Sequence, residues 1–161
     1  MFTLIIGQNN SGKSSYAESI IADLNSEKRY YIATMIPYGE EGQERVKKHL
    51  KMRENLNMET VEDPYLEHFE YIKKGSDILL EDVSNLVANL LFEKGISGCD
   101  EIIELICELR DKSQNLVAVS ISGILSEGYD KETANYIDLL NKVNTELESI
   151  ADKTVRMGEQ I

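Results

Sequence analysis

Little in this sequence breaks or cross-links it: it holds two prolines, two cysteines, no low-complexity tract and no internal repeat. With no proline-rich linker, residues 1–161 read as a single domain, long enough for a real core. Cys99 and Cys107 fall eight apart in one helical stretch. That is about 12 Å along a helix, too far to bridge. They read as reduced residues, and two at this spacing make no metal motif. No run of about 18 apolar residues is present, so no membrane span is expected. The N-terminal apolar run is too short for a signal peptide and lacks a basic flank, so the expected setting is the cytoplasm. Basic residues are scarce as well: 17 Lys and Arg stand against 29 Asp and Glu, a net charge of −12. Such a surface repels nucleic acid, and none is expected as a partner.

What is present is concentrated near the N-terminus. Gly7-Gln8-Asn9-Asn10-Ser11-Gly12-Lys13-Ser14 fits G-x-x-x-x-G-K-[ST], the phosphate-binding P-loop. Phe2 to Ile6 before it is a short apolar run that reads as a buried strand. Ser15 to Leu24 after it places Ala17, Ile20, Ile21 and Leu24 on one helical face. Successive loop N–H groups and the positive end of the helix form a cradle for phosphate oxygens. Gly7 and Gly12 admit backbone that a Cβ would block. Gly7, Gln8, Asn9, Asn10, Ser11, Gly12, Lys13, Ser14 and Ser15 are therefore the expected phosphate-binding residues. Lys13 would lie along the β- and γ-phosphates, and the Ser14 hydroxyl would ligate Mg²⁺.

The rest alternates strand and helix. Tyr30 to Thr34 reads as a second strand, and Pro37 and Gly39 mark a loop. Glu40 to Glu54 reads as a half-exposed helix with Val46 and Leu50 on its apolar side. It carries His49, which from the residues alone is either a solvated side chain or a catalytic one. Met58 to Glu62 is a short alternating strand. Asp63-Pro64 then starts an expected helix from Tyr65 to Lys74, stopping at Gly75, with His68 on its surface. Asp77 to Asp82 is an apolar run ending in carboxylates, as in the buried strand beside a P-loop, whose terminal acid serves Mg²⁺. Glu81 and Asp82 are both candidates, and either also suits the cap of a helix from Val83 to Glu93. A helix from Asp100 to Lys112, a strand from Leu116 to Ile121, a helix from Lys131 to Ala151 and an edge strand from Lys153 to Met157 complete the pattern. The fold class expected is α/β, a P-loop NTPase-like, mostly parallel sheet with helices on both faces. Ligand belongs at the carboxyl ends of the strands, where the P-loop, Thr34, Glu62 and Glu81 fall.

Several of these segments together carry a resemblance. Tyr31-Ile32-Ala33-Thr34, Glu44-Arg45-Val46-Lys47-Lys48-His49, Thr60-Val61-Glu62 and the run Leu79 to Leu91 follow one another in order. Asp138, Asn144, Leu147 and Ala151-Asp152 follow near the end. The chain resembles the bifunctional adenosylcobinamide kinase / adenosylcobinamide-phosphate guanylyltransferase family of cobalamin synthesis. The resemblance implies two activities: phosphorylation of the cobinamide hydroxyl from a nucleoside triphosphate, and transfer of GMP from GTP to cobinamide phosphate through a guanylylated histidine. His49 occupies that histidine position, with Lys13 as the second catalytic group. Thr34, Met35, Arg53, Glu62 and Glu81 would line the GTP (or ATP) site, with Ser14 and Glu81 on Mg²⁺. A corrinoid acceptor and a homotrimer are implied in the same way. The chain departs from the family pattern at Ser120 to Ser126, at Ile137 and Asn141, and at Asp82 in place of a cysteine. The alternative is a diverged relative that keeps the GTP site but has one activity, another acceptor, or only a nucleotide-binding switch role.

Overall fold

A computed structural model describes residues 1–24, 26–36, 40, 42–44, 47, 51 and 57–158. Six strands form one sheet: β1 (Phe2–Gly7), β2 (Arg29–Ala33), β3 (Glu59–Glu62), β4 (Ser76–Glu81), β5 (Ser113–Ile121) and β6 (Lys153–Met157). Their order is β3-β2-β4-β5-β1-β6 and every pairing is parallel. Among the described residues four complete helices pack on it: α1 (Lys13–Ala22), α2 (Val83–Lys94), α3 (Cys99–Lys112) and α4 (Lys131–Ile150). Residues 42–44 are helical too, inside the helix expected over Glu40 to Glu54; His49 and Arg53 of that stretch lie outside the described residues, as does the loop at 37–39.

The expected α/β sheet is therefore present. Its strand periodicity explains the two layers that cover it. Along β1, Phe2, Leu4 and Ile6 join Ile78, Leu80, Leu116 and Ala118 on one face. That face packs against Leu86 and Leu90 of α2, Ile106 and Leu109 of α3, and Leu140, Val143 and Leu147 of α4. Ile5 points the other way, with Tyr31, Leu79, Val117 and Val119, onto Ala17 and Ile21 of α1. Strands buried on both faces have no polar side to show, and so read as unbroken apolar runs. Each fully buried Leu or Ile contributes about 1.5–3 kcal/mol of transfer free energy.

The termini of the helices are set by local chemistry. Asp82 caps α2, its carboxylate accepting from the Asn85 N–H, and Asp130 caps α4 through the Thr133 N–H. Both sites satisfy a first-turn donor that the helix cannot pair internally. One expected helix is absent. Residues 65–74 form turns and a single 3-10 turn, Phe69–Tyr71. The buried Asp63 carboxylate takes the N–H groups of Glu67 (2.7 Å) and His68 (2.9 Å), and Leu66 adopts φ 54°. The aspartate thus folds the chain back on itself instead of starting a helix. His68 is exposed, as expected. The two cysteines are free thiols. Among the described residues no helix is long and apolar enough to cross a membrane.

Candidate functional site

The sheet order brings the P-loop and the carboxyl end of β4 to the same edge, with β5 between their strands. Gly7 ends β1 and pairs with Met157 of β6. A Cβ there would stand 2.2 Å from the Met157 carbonyl oxygen, so glycine is what lets β6 sit against the loop. Gly158, at φ 76°, passes so close to Ser11 that a Cβ would fall 2.8 Å from that residue's Cβ. On the other flank the Ser122 N–H donates to the Gly7 carbonyl (3.0 Å). The loop is thus held on both sides before any ligand arrives.

Gly12 caps α1 in the left-handed conformation (φ 85°) and contributes no side-chain bond. The first N–H groups of α1 have no intrahelical acceptor and lie at the positive end of the helix, which favours an anion. Lys13 is buried, at 8% exposure, and its Nζ donates to the Gln8 carbonyl (2.6 Å) and the Ser11 hydroxyl (3.4 Å). Burial lowers its pKa, and the nearby Asp82 and Glu81 carboxylates oppose that shift. A phosphate group would do the same more strongly.

Across the cleft, the Ser14 hydroxyl donates to Glu81 Oε1 and the Tyr31 hydroxyl to Oε2. Asp82 sits one residue on. Burial pushes its carboxyl up to about 6, and Glu81 adds to this, against the stabilising Asn85 N–H and the Lys13 charge. Asn9, Asn10, Ser11, Gly12, Lys13, Ser14 and Ser15 line one cleft of about 290 Å³ together with Glu81, Asp82, Val119 and Ile121. The β5 wall of that cleft is fixed from behind. Ser84 Oγ accepts from the Ile121 N–H (2.7 Å), and Asn144 accepts from Ser120 Oγ (2.6 Å) and donates to the Ile121 carbonyl (2.9 Å).

The hydroxyl and carboxylate oxygens of Ser14 and Glu81 are hard donors, suited to Mg²⁺, with phosphate oxygens and water needed to complete its coordination. Among the described residues no group of three or more His, Cys, Asp or Glu side chains converges to hold a metal by itself. The donor set therefore fits a metal carried in with phosphate oxygens, which Ser14 and Glu81 would hold.

Not every expected residue joins this cleft. Gln8 is exposed and meets Lys13 through its carbonyl. Thr34 is fully buried. Its hydroxyl donates to the Asp82 carbonyl (2.7 Å) and accepts from the Asp82 N–H (2.8 Å), tying the end of β2 to the end of β4. Its backbone is held as well, the Asn89 amide donating to the Thr34 carbonyl (2.7 Å) and the Pro64 carbonyl (3.0 Å). Met35 follows, half-buried, and Glu62 is exposed at the end of the edge strand β3. These three lie toward the β2–β3 side, several strand spacings from β1. Replacing Thr34 with Val keeps the shape and takes the acceptor from the Asp82 N–H, while the Asp82 carbonyl keeps the Leu86 N–H; the expected cost is about 1.5 kcal/mol of stability, read as a lowered denaturation midpoint at unchanged slope. Tyr31, Val119 and Ile121 are site residues that the motif pattern does not reveal. Only the strand order brings them to the P-loop.

In comparisons with known proteins, a family model described as cobinamide kinase / cobinamide phosphate guanyltransferase matches residues 3–159. No curated protein matches the chain significantly.

Proposed function

The chain belongs to the cobinamide kinase / cobinamide phosphate guanyltransferase family, and from that premise we propose that it carries out both transfers. It would phosphorylate adenosylcobinamide from a nucleoside triphosphate, then move GMP from GTP to adenosylcobinamide phosphate through a guanylylated His49. The family acts in cobalamin synthesis, with nucleotide and cobinamide as its substrates. The observation that supports a working transferase is the meeting of the P-loop with β4: Ser14 bonds Glu81 directly, beside a buried Lys13. A P-loop kept only as a structural turn would need neither the carboxylate nor the cation.

Each residue then has a task. The loop and first-turn N–H groups bind the phosphate chain, and Lys13 offsets its charge where it grows during transfer. Ser14 and Glu81 would hold Mg²⁺, which neutralises phosphate charge when bound. The hydrophobic ends of β5, Val119 and Ile121, close one wall and limit water. In the second transfer a neutral His49 imidazole nitrogen attacks the α-phosphorus of GTP and pyrophosphate leaves. A phosphate oxygen of the cobinamide phosphate then displaces the imidazole and takes the GMP. Imidazole suits this because it is a good nucleophile near pH 7 and a good leaving group from phosphorus.

The test is to incubate the protein with Mg²⁺ and GTP labelled at the α-phosphate, and measure intact mass after denaturation. One acid-labile GMP per chain is expected in the wild type and none in His49→Ala. Bound GTP without any adduct in the wild type would overturn the covalent mechanism.

A further inference from the structure

Glu81 is gripped at both oxygens, and only one grip belongs to the P-loop. Tyr31 lies in β2, next to β4 in the sheet, opposite Leu79 in register. Residues two apart on a strand share a face, so Glu81 projects on the same side as Leu79 and Tyr31, toward α1. The Tyr31 ring is buried, at 4% exposure, and packs in the core layer beneath α1. Its hydroxyl reaches Glu81 Oε2, while Ser14 takes Oε1. A carboxylate on a flexible side chain has two rotatable bonds before its own plane is set. A hydrogen bond to each oxygen fixes that plane and aims Oε1 at the P-loop hydroxyl.

We propose that Tyr31 is a positioning residue for Glu81, holding its carboxylate in the orientation that receives the metal ion of a metal–nucleotide complex. This rests on the reading of Ser14 and Glu81 as the metal pair. A buried tyrosine hydroxyl needs some partner in any fold. Here the partner is the carboxylate that faces the phosphate cradle, and the ring that carries the hydroxyl is locked by the core. The hydroxyl therefore has little freedom to follow Glu81 elsewhere. Groups that orient a metal ligand in this way typically alter metal affinity about 10–100-fold when removed.

The experiment is a Mg²⁺ titration of the binding of a fluorescent GTP analogue to wild type, Tyr31→Phe, Glu81→Gln and the double variant. Phe keeps the ring and its packing, and a thermal melt of each variant checks that the fold survives. The expected result is an increase of about tenfold in the Mg²⁺ needed for half-maximal tight binding in Tyr31→Phe. Nucleotide affinity without metal should stay within about twofold, and Tyr31→Phe should add nothing once Glu81 is Gln. Equal Mg²⁺ dependence in wild type and Tyr31→Phe would overturn the proposal. So would an equal loss with and without metal, which marks a merely structural hydroxyl, or a wild type whose binding ignores Mg²⁺. The measurement needs no turnover. A protein that binds metal–nucleotide normally but transfers nothing would defeat the proposed reaction and still decide the role of Tyr31.

Discussion

Replacing Lys13 with Ala will lower transfer about 10³-fold, equivalent to about 4 kcal/mol of transition-state stabilisation, while leaving the chain folded. The ammonium is buried and held at 2.6 Å by the Gln8 carbonyl, so it is aimed before the nucleotide binds. No reorganisation is then needed as charge develops on the phosphate, which is the condition under which a fixed charge is most effective. Lys13→Arg will not rescue activity. The planar guanidinium is bulkier than the ammonium, and the site leaves only 8% of the residue exposed. Steady-state rates with saturating GTP, set beside thermal melts, check both halves. Activity within tenfold of wild type in Lys13→Ala would remove the P-loop lysine from the chemistry.

How much of this was legible in the sequence depended on whether the physical demand falls on neighbouring residues. The P-loop is read easily because its glycines, lysine and serine are contiguous and each meets a local need. β1, β4 and β5 are read because burial on both faces leaves them no polar alternation. The helix expected after Asp63-Pro64 fails for the opposite reason. An aspartate before a proline marks a helix start and a tight turn alike, and only the burial of Asp63 with two N–H donors decides for the turn. Tyr31 is the clearest omission. It meets Glu81 fifty residues away because β2 lies beside β4, and no spacing in the chain encodes that order. Asp82 is a mixed case: of the two roles expected for it, metal acid or helix cap, the cap is present, one oxygen accepting from the Asn85 N–H, and the residue also lines the cleft.

That double duty gives Asp82 a measurable signature. Its carboxyl rises from an ordinary 3.8 to about 6 in the folded chain, chiefly through burial and then through Glu81. Between about pH 4 and pH 6 the folded chain therefore holds a proton here that the unfolded chain has lost. Stability falls as pH rises when the native state binds more protons, so Asp82 contributes a decline across that window and a constant penalty above it. The facing groups are Glu81, which strengthens the effect, Lys13, which weakens it, and Tyr136, whose own hydroxyl is pushed up to about 12 by burial and stays neutral throughout. Asp82→Asn keeps a capping oxygen for the Asn85 N–H, since Asn caps about as well as Asp. It removes the charge. With the partial exposure of the site taken into account, the variant is expected to gain about 2 kcal/mol at pH 7 and nothing at pH 3.5. Urea denaturation at a series of pH values measures both curves. Their difference should open between pH 4 and 6 and then stay constant; parallel curves would show that folding leaves the Asp82 carboxyl unshifted, and a variant that loses stability relative to wild type as pH rises would show that Asp82 stabilises the fold as an anion.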